Sequence, residues 1–156
     1  RSDEIGIIVC GLDFDGNGHV LEDASIREGP AGWAARALKA FDDWGAERLV
    51  AEKNFGGALV EATIRGIRGH APVKMVSAAR GKVARAEPVA AIYELGRIFH
   101  HGRFHALEDQ LCRFSASGYQ GARSPDRADA LVWGLSTLML ETQTATTWGP
   151  GLNFAR

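Results

Sequence analysis

Cysteine is scarce in this chain: Cys10 and Cys112 are the only two among 156 residues. They stand far apart in apolar patterns, which argues against a disulfide scaffold and predicts buried free thiols in a reducing compartment. No apolar run is long enough to span a bilayer, and no signal peptide is visible. Nucleotide-binding signatures are missing as well, with neither a Walker A sequence nor G-x-G-x-x-G, and there is no Ser-His-Asp logic. Acid is missing from one stretch in particular. Between Glu61 and Glu87 there is none, while Arg65, Arg68, Lys74, Arg80, Lys82 and Arg85 all fall there. The net charge of -1 therefore hides a basic segment that can meet a polyanion, set beside carboxylates that can hold cations.

What remains is ordinary globular material. The chain is 46% hydrophobic and 24% charged, with a length that suits one domain with a real core. It starts almost inside a strand at Arg1, and reads as a fragment with sequence missing upstream. Internal repeats are absent. Residues 5–12 are rich in β-branched side chains and predict a strand. Asp13-Phe14-Asp15-Gly16-Asn17-Gly18 predicts a turn and residues 19–23 a returning strand. That turn has part of a calcium-loop pattern, but it lacks the later ligands and the flanking helices, so a hairpin is the better reading.

Pro30 suits a first helical turn, and Trp33, Ala34, Ala37, Leu38, Phe41 and Trp44 recur at helical spacing up to Gly45. A strand follows over 48–52, a helix over 58–64 and a strand over 73–78. Residues 84–95 predict a helix with Pro88 in its first turn, and 97–101 a short extended piece. A helix over 106–114 turns Leu107, Leu111 and Phe114 inward. Beyond a polar loop, Ser124 reads as the cap and Pro125 as the start of a last long helix. The polar residues 142–156 read as a tail after a domain spanning 1–141. Hairpin, helix, strand, helix, strand predicts a mixed α/β fold with at least one parallel pair.

Two features stand apart from this scaffold. In Leu49-Val50-Ala51-Glu52-Lys53-Asn54-Phe55-Gly56-Gly57 a short apolar strand delivers a carboxylate at its end, and a glycine pair then permits close backbone approach before a helix. Glu52 there is either a catalytic acid or a solvated strand-end residue, and the stretch alone leaves both open. In Ser124-Pro125-Asp126-Arg127-Ala128-Asp129-Ala130-Leu131 two acids sit three apart at a helix start, where the helix dipole alone would favour one of them. Carboxylates at a strand end and a helix start would suit hard divalent cations. His100, His101 and His105 cluster in sequence but lack zinc-site spacing, and a surface or DNA-facing role fits them better.

Taken together these stretches resemble the ribonuclease H-like nuclease domain of phage terminase large subunits, a group that includes gene transfer agent terminases. The resemblance also rests on Asp3-Glu4-Ile5-Gly6-Ile7-Ile8-Val9, Val20-Leu21-Glu22-Asp23-Ala24-Ser25 and Arg80-Gly81-Lys82-Val83-Ala84-Arg85-Ala86-Glu87-Pro88-Val89, and it covers nearly the whole chain. It implies a ribonuclease H-like mixed β-sheet flanked by helices. It implies cleavage of concatemeric double-stranded DNA during packaging, with two Mg²⁺ or Mn²⁺ ions held by three acids. The second acid matches Glu52 and the third Asp129, with Asp126 a near alternative. The first belongs to a strand upstream of Asp3, which this sequence does not reach, and Asp3 itself could support a metal. Arg80, Lys82 and Arg85 would contact DNA. The implied partners are an ATPase domain in the same full-length chain, the portal and the small terminase subunit, with the work done in the host cytoplasm at the procapsid portal and no membrane. Two rival readings remain: a structure-selective nuclease of the resolvase type, and a non-catalytic DNA-clamping or motor-docking module.

Overall fold

The computed structural model describes residues 4–53, 57–115 and 117–141. Strand β1 (Ile8–Leu12) and strand β2 (Gly18–Asp23) form the expected hairpin, with a register shift between Val9 and Cys10. The turn is built by Asp13, whose Oδ1 accepts from the backbone N–H groups of Asp15 (2.9 Å) and Asn17 (2.8 Å). This is the local side-chain closure that favours Asp at a turn. Toward the N-terminus the ladder continues as an antiparallel bridge between Ile5 and Ile26.

Helix α1 (Pro30–Asp43) begins on Pro30 and buries Trp33, Ala34, Ala37 and Leu38. Phe41 is half-buried, and Trp44 lies just past the helix, 44% exposed, with its indole N–H on Glu22 Oε2 at 2.7 Å. Strand β3 (Leu49–Glu52), helix α2 (Gly57–Ile67) and strand β4 (Val73–Val76) follow, β3 and β4 pairing in parallel from Leu49–Val73 to Glu52–Val76. Parallel pairing puts the C-terminal ends of both strands at one edge, where open α/β sheets hold their ligands.

Helix α3 spans Lys82–Glu94. The expectation that Pro88 lies in its first turn fails: the helix starts earlier, at Gly81 as N-cap, and runs through Pro88 in its interior. Proline there removes one backbone donor from the ladder, and burial of Val89 and Ile92 in the core holds the helix together regardless. Strand β5 (Ile98–His100) pairs in parallel with β2. Helix α4 (His105–Cys112) stops short of Phe114, which instead joins a small hairpin, β6 (Phe114–Ser115) and β7 (Gly118–Tyr119), and packs on Tyr119 at 5.2 Å between ring centroids. Helix α5 (Asp126–Met139) closes the described chain.

The apolar residues sort into two cores. One joins β2, β5, α3, α4 and α5 through Val20, Val89, Ile98, Leu107, Leu131 and Leu135. The other joins α1, α2 and the start of β4 through Trp33, Leu38, Ile64 and Ala71. Leu131 and Leu135 have no exposed surface, and burial of each contributes about 1.5–3 kcal/mol. The expectation of two buried thiols is not met: Cys10 is half-buried, its thiol pushed up to about 12 by desolvation, and Cys112 is exposed.

The strands fall into separate sheets, β1-β2-β5 and β3-β4, with the β6-β7 hairpin apart. Residues of both β1 and β3 line one cleft of about 2440 Å³, walled by Trp33, Phe41 and Trp44 of the α1 region and by Trp133, Gly134 and Thr137 of α5. Neither β1 nor β3 is deeply buried although both are apolar. Among the described residues each has a strand on one side only.

Candidate active site

Glu52 is the last residue of β3 and half-buried at the cleft. Its position follows from the chain around it. The strand pairs through Glu52 itself with Val76, the Lys53 N–H donates to the Val76 carbonyl at 2.8 Å, and α2 starts at Gly57. A Cβ on Gly57 would sit 3.2 Å from the Glu52 carbonyl oxygen, so glycine lets the helix turn back tightly over the strand end. Asn54, Phe55 and Gly56, and hence the other half of the expected glycine pair, lie outside the described residues, as do Asp3 and the tail 142–156.

Asp126 and Asp129 occupy the first turn of α5 and line the same cleft. The N-cap is Pro125 and no side chain caps the helix, so the expected Ser124 cap is not formed; Ser124 instead hydrogen-bonds the Asp126 carboxyl. Burial raises Asp126 from its ordinary value, with Asp129 and Glu4 adding to the rise against the pull of Ser124 and Lys82.

The turn carrying these acids is anchored by groups that no local pattern announces. Arg127 Nε donates to Asp23 Oδ2 at 2.8 Å, and Arg127 Nη1 donates to Glu4 Oε2. Burial pushes the Glu4 carboxyl up, but Arg127 and then Arg27 outweigh it and hold the group below its ordinary value. Ala128 N–H donates to Gln110 Oε1 at 3.1 Å. The N-terminal segment presses on the helix so closely that a Cβ on Gly6 would lie 2.0 Å from the Asp126 carbonyl oxygen.

Helix α3 brings cations to both carboxylates. Lys82 Nζ donates to Asp129 Oδ2, and Arg85 Nη2 lies 3.9 Å from Glu52 Oε1. Lys82 and Arg85 are three residues apart, hence neighbours on one helix face about 5–6 Å apart at Cβ. Glu52 and Asp129, distant in sequence, therefore converge on a single turn. Arg85 is held hard: its guanidinium lies 4.7 Å over the Trp133 ring and its Nη1 donates to the Arg80 carbonyl at 2.7 Å. Arg85 Nε, Trp133 Nε1 and Thr137 Oγ1 are buried without a hydrogen-bond partner, and all three residues line the cleft.

Much of the basic segment meets acid from elsewhere in the chain. Arg68 makes a bidentate pair with Asp42 at 2.7 Å to each oxygen, Arg65 pairs with Glu61 at 2.9 Å, and Lys74 pairs with Glu141. His19, His100 and His101 are knitted into the other end of the β1-β2-β5 sheet. His19 lies between Asp13 (2.8 Å) and His101 (2.8 Å), and His100 between Tyr93 (2.7 Å) and Glu108 (3.1 Å). The His19 contact, helped by the Asn17 N–H, lowers Asp13 to about 2. Among the described residues no group of three or more His, Cys, Asp or Glu is arranged to hold a metal ion.

Among the described residues, a mixed sheet and a parallel strand pair packed with five helices, with acids at a strand end and a helix start, define an α/β protein of the ribonuclease H-like class. The sequence matches the terminase RNaseH-like domain family over residues 1–138, and the chain belongs to that family. In three dimensions it is similar to the large terminase nuclease from thermophilic phage G20c with bound cobalt, at a TM-score of 0.60 and 18% identity over 87% of this chain and 82% of that one. A second structure of the G20c nuclease gives a TM-score of 0.56, at 18% identity over 87% and 83% of the two chains. No curated protein matches the chain. No helix among the described residues is long and apolar enough to cross a membrane.

Proposed function

We propose that this domain is a metal-dependent endonuclease that cuts concatemeric double-stranded DNA during viral genome packaging. The observation that carries the reading is the convergence of Glu52 and Asp129 on one turn of α3, each carboxylate holding a cationic side chain at the rim of a long cleft. Carboxylates that attract cations into a partly desolvated cleft are the donor set that Mg²⁺ or Mn²⁺ selects. The cobalt in the G20c nuclease supports a divalent ion for this fold. Glu52 and Asp129 would hold the metal, with Asp126 beside them. Two such ions would activate a water and stabilise the charge on the scissile phosphate.

The donor set is incomplete among the described residues, and the cleft suggests where the rest enters. A strand laid between β1 and β3 would join the two sheets and bring the first acid of the site; Asp3 could then support the metal. The buried polar atoms of Arg85, Trp133 and Thr137 along that cleft support a further segment there, since buried donors are normally paired. Glu52 would hold the metal from the end of β3 and Asp129 from the start of the Arg127-anchored helix. Arg80 and Lys82, both exposed, lie at the cleft where a phosphate backbone would run, while Arg85 stays stacked on Trp133 beside Glu52. The ATPase domain of the full-length chain, the portal and the small terminase subunit would present the DNA, in the host cytoplasm at the procapsid.

The test is cleavage of supercoiled plasmid by the intact protein with Mn²⁺, Mg²⁺ or EDTA, beside Glu52→Ala and Asp129→Ala. Metal-dependent nicking or linearisation is expected, falling by at least about 10²-fold in either variant, the scale on which metal-site carboxylates act. Duplex binding without cleavage in any metal would leave a DNA-clamping or motor-docking module. Preference for four-way junctions over linear duplex would instead mark a resolvase.

A further inference from the structure

The two cations on the candidate site are not equivalent. Arg85 is clamped between Trp133 and the Arg80 carbonyl with its side chain 12% exposed, so it cannot leave without disturbing the packing of α3 on α5. Lys82 stands on the first residue of α3, its side chain 47% exposed, and its ammonium rests on an Asp129 side chain that is 16% exposed. A compact charge on a flexible four-carbon stem can swing away from a partner at little cost, and a half-exposed ion pair is weak. Asp129, by contrast, is fixed by the helix turn that Arg127 and Gln110 anchor.

We propose that Lys82 is a displaceable counter-ion of Asp129. It occupies the carboxylate while no divalent ion is bound, yields it when the metal arrives, and is then released toward the DNA backbone. Lys82 thus competes with the metal and couples metal loading to phosphate contact. The proposal rests on the reading of Asp129 as a metal ligand given above. A monovalent ammonium and a divalent ion are drawn to the same carboxylate, and crowded on it they repel each other, so the ion with the larger charge displaces the weaker one. Neutralising Asp129 also relieves repulsion with Asp126, whose carboxyl already feels its neighbour, so the pair quiets the acidic turn until metal replaces it.

The experiment is Mn²⁺ binding to the EDTA-stripped intact protein without DNA, read by electron paramagnetic resonance of the free ion. Wild type is compared with Lys82→Met, Arg80→Met and Asp129→Asn. Lys82→Met is expected to bind Mn²⁺ about two- to five-fold more tightly, the factor that corresponds to losing a half-exposed ion pair as competitor. Arg80→Met removes the same charge two residues away and is expected to gain less. A second readout follows the ammonium itself: reductive methylation of Lys82, located by peptide mass spectrometry, is expected to speed up when Mn²⁺ is added to wild type. Equal gains in Lys82→Met and Arg80→Met, no gain in Lys82→Met, or methylation of Lys82 indifferent to Mn²⁺ would each overturn the counter-ion role. If Asp129→Asn binds Mn²⁺ as wild type does, the metal-ligand reading fails and the counter-ion role falls with it. If Asp129→Asn loses the ion while Lys82→Met gains nothing, only the counter-ion role fails.

Discussion

Asp126 shows how a single carboxyl records the tension in a site. Its pKa is raised, first by burial and then by Asp129 and Glu4, so the folded protein holds the Asp126 proton more tightly than the unfolded chain does. Stability from this group is complete below the unfolded value near 3.8, falls as pH rises through the folded value, and stays low above it. Asp126→Asn is therefore expected to raise the melting temperature at pH 7, with the gain shrinking as pH drops toward 3.8. Thermal melts across that range check the sign. If the same variant slows plasmid cleavage, it exchanges stability against function at one residue.

At this scale the sequence announces some groups and hides others. Glu52 stands out as a candidate because strand, acid and glycine pair are contiguous, though the stretch alone does not give it a role. Asp126 and Asp129 stand out as candidates because they open a helix. Arg127 lies between them and yields no signal, since Glu4 and Asp23, its partners, are 123 and 104 positions away. The basic segment meets the same limit. Its lack of acids holds along the chain, but folding brings Asp42 to Arg68 and Asp129 to Lys82.

At the scale of elements, the first turn of α5 is positioned less by its own sequence than by what lies against it. With no side-chain cap, its place depends on the Arg127 ion pairs, on Gln110, and on the N-terminal segment passing at Gly6. A methyl group at Gly6 would overlap the Asp126 carbonyl, which is backbone and cannot rotate aside. Gly6→Ala is expected to cost about 1–3 kcal/mol as the segment and helix part. Because the displaced turn carries Asp126 and Asp129, cleavage should fall further than the loss of stability explains. Urea denaturation and plasmid cleavage on the same samples separate the two effects. The misread helix boundaries have equally physical causes. Pro88 suggests a first turn because proline is comfortable there, but burial of Val89 and Ile92 carries α3 through it. Phe114 fits a helical spacing but finds Tyr119 across a two-residue strand.

For the whole molecule the decisive feature is that its two sheets face one cleft. Each half has its own core, Leu131 and Leu135 centring one and Trp33 and Leu38 the other. The mixed α/β order of elements is readable from hydrophobic period alone. The division between the sheets is not, because strand order depends on pairings that sequence spacing does not encode. Ile8, Val9, Leu49 and Val50 are strand formers left half-exposed along the cleft, and apolar strand edges are surfaces that proteins otherwise cover or pair. If a strand enters between β1 and β3 in the intact protein, the outward amides of both acquire partners together. Hydrogen exchange should then show Ile8–Leu12 and Leu49–Glu52 protected in the intact protein, and markedly faster on the cleft-facing amides in the chain of residues 1–156. Equal protection in the two would mean that the cleft stays open and that no strand enters between β1 and β3.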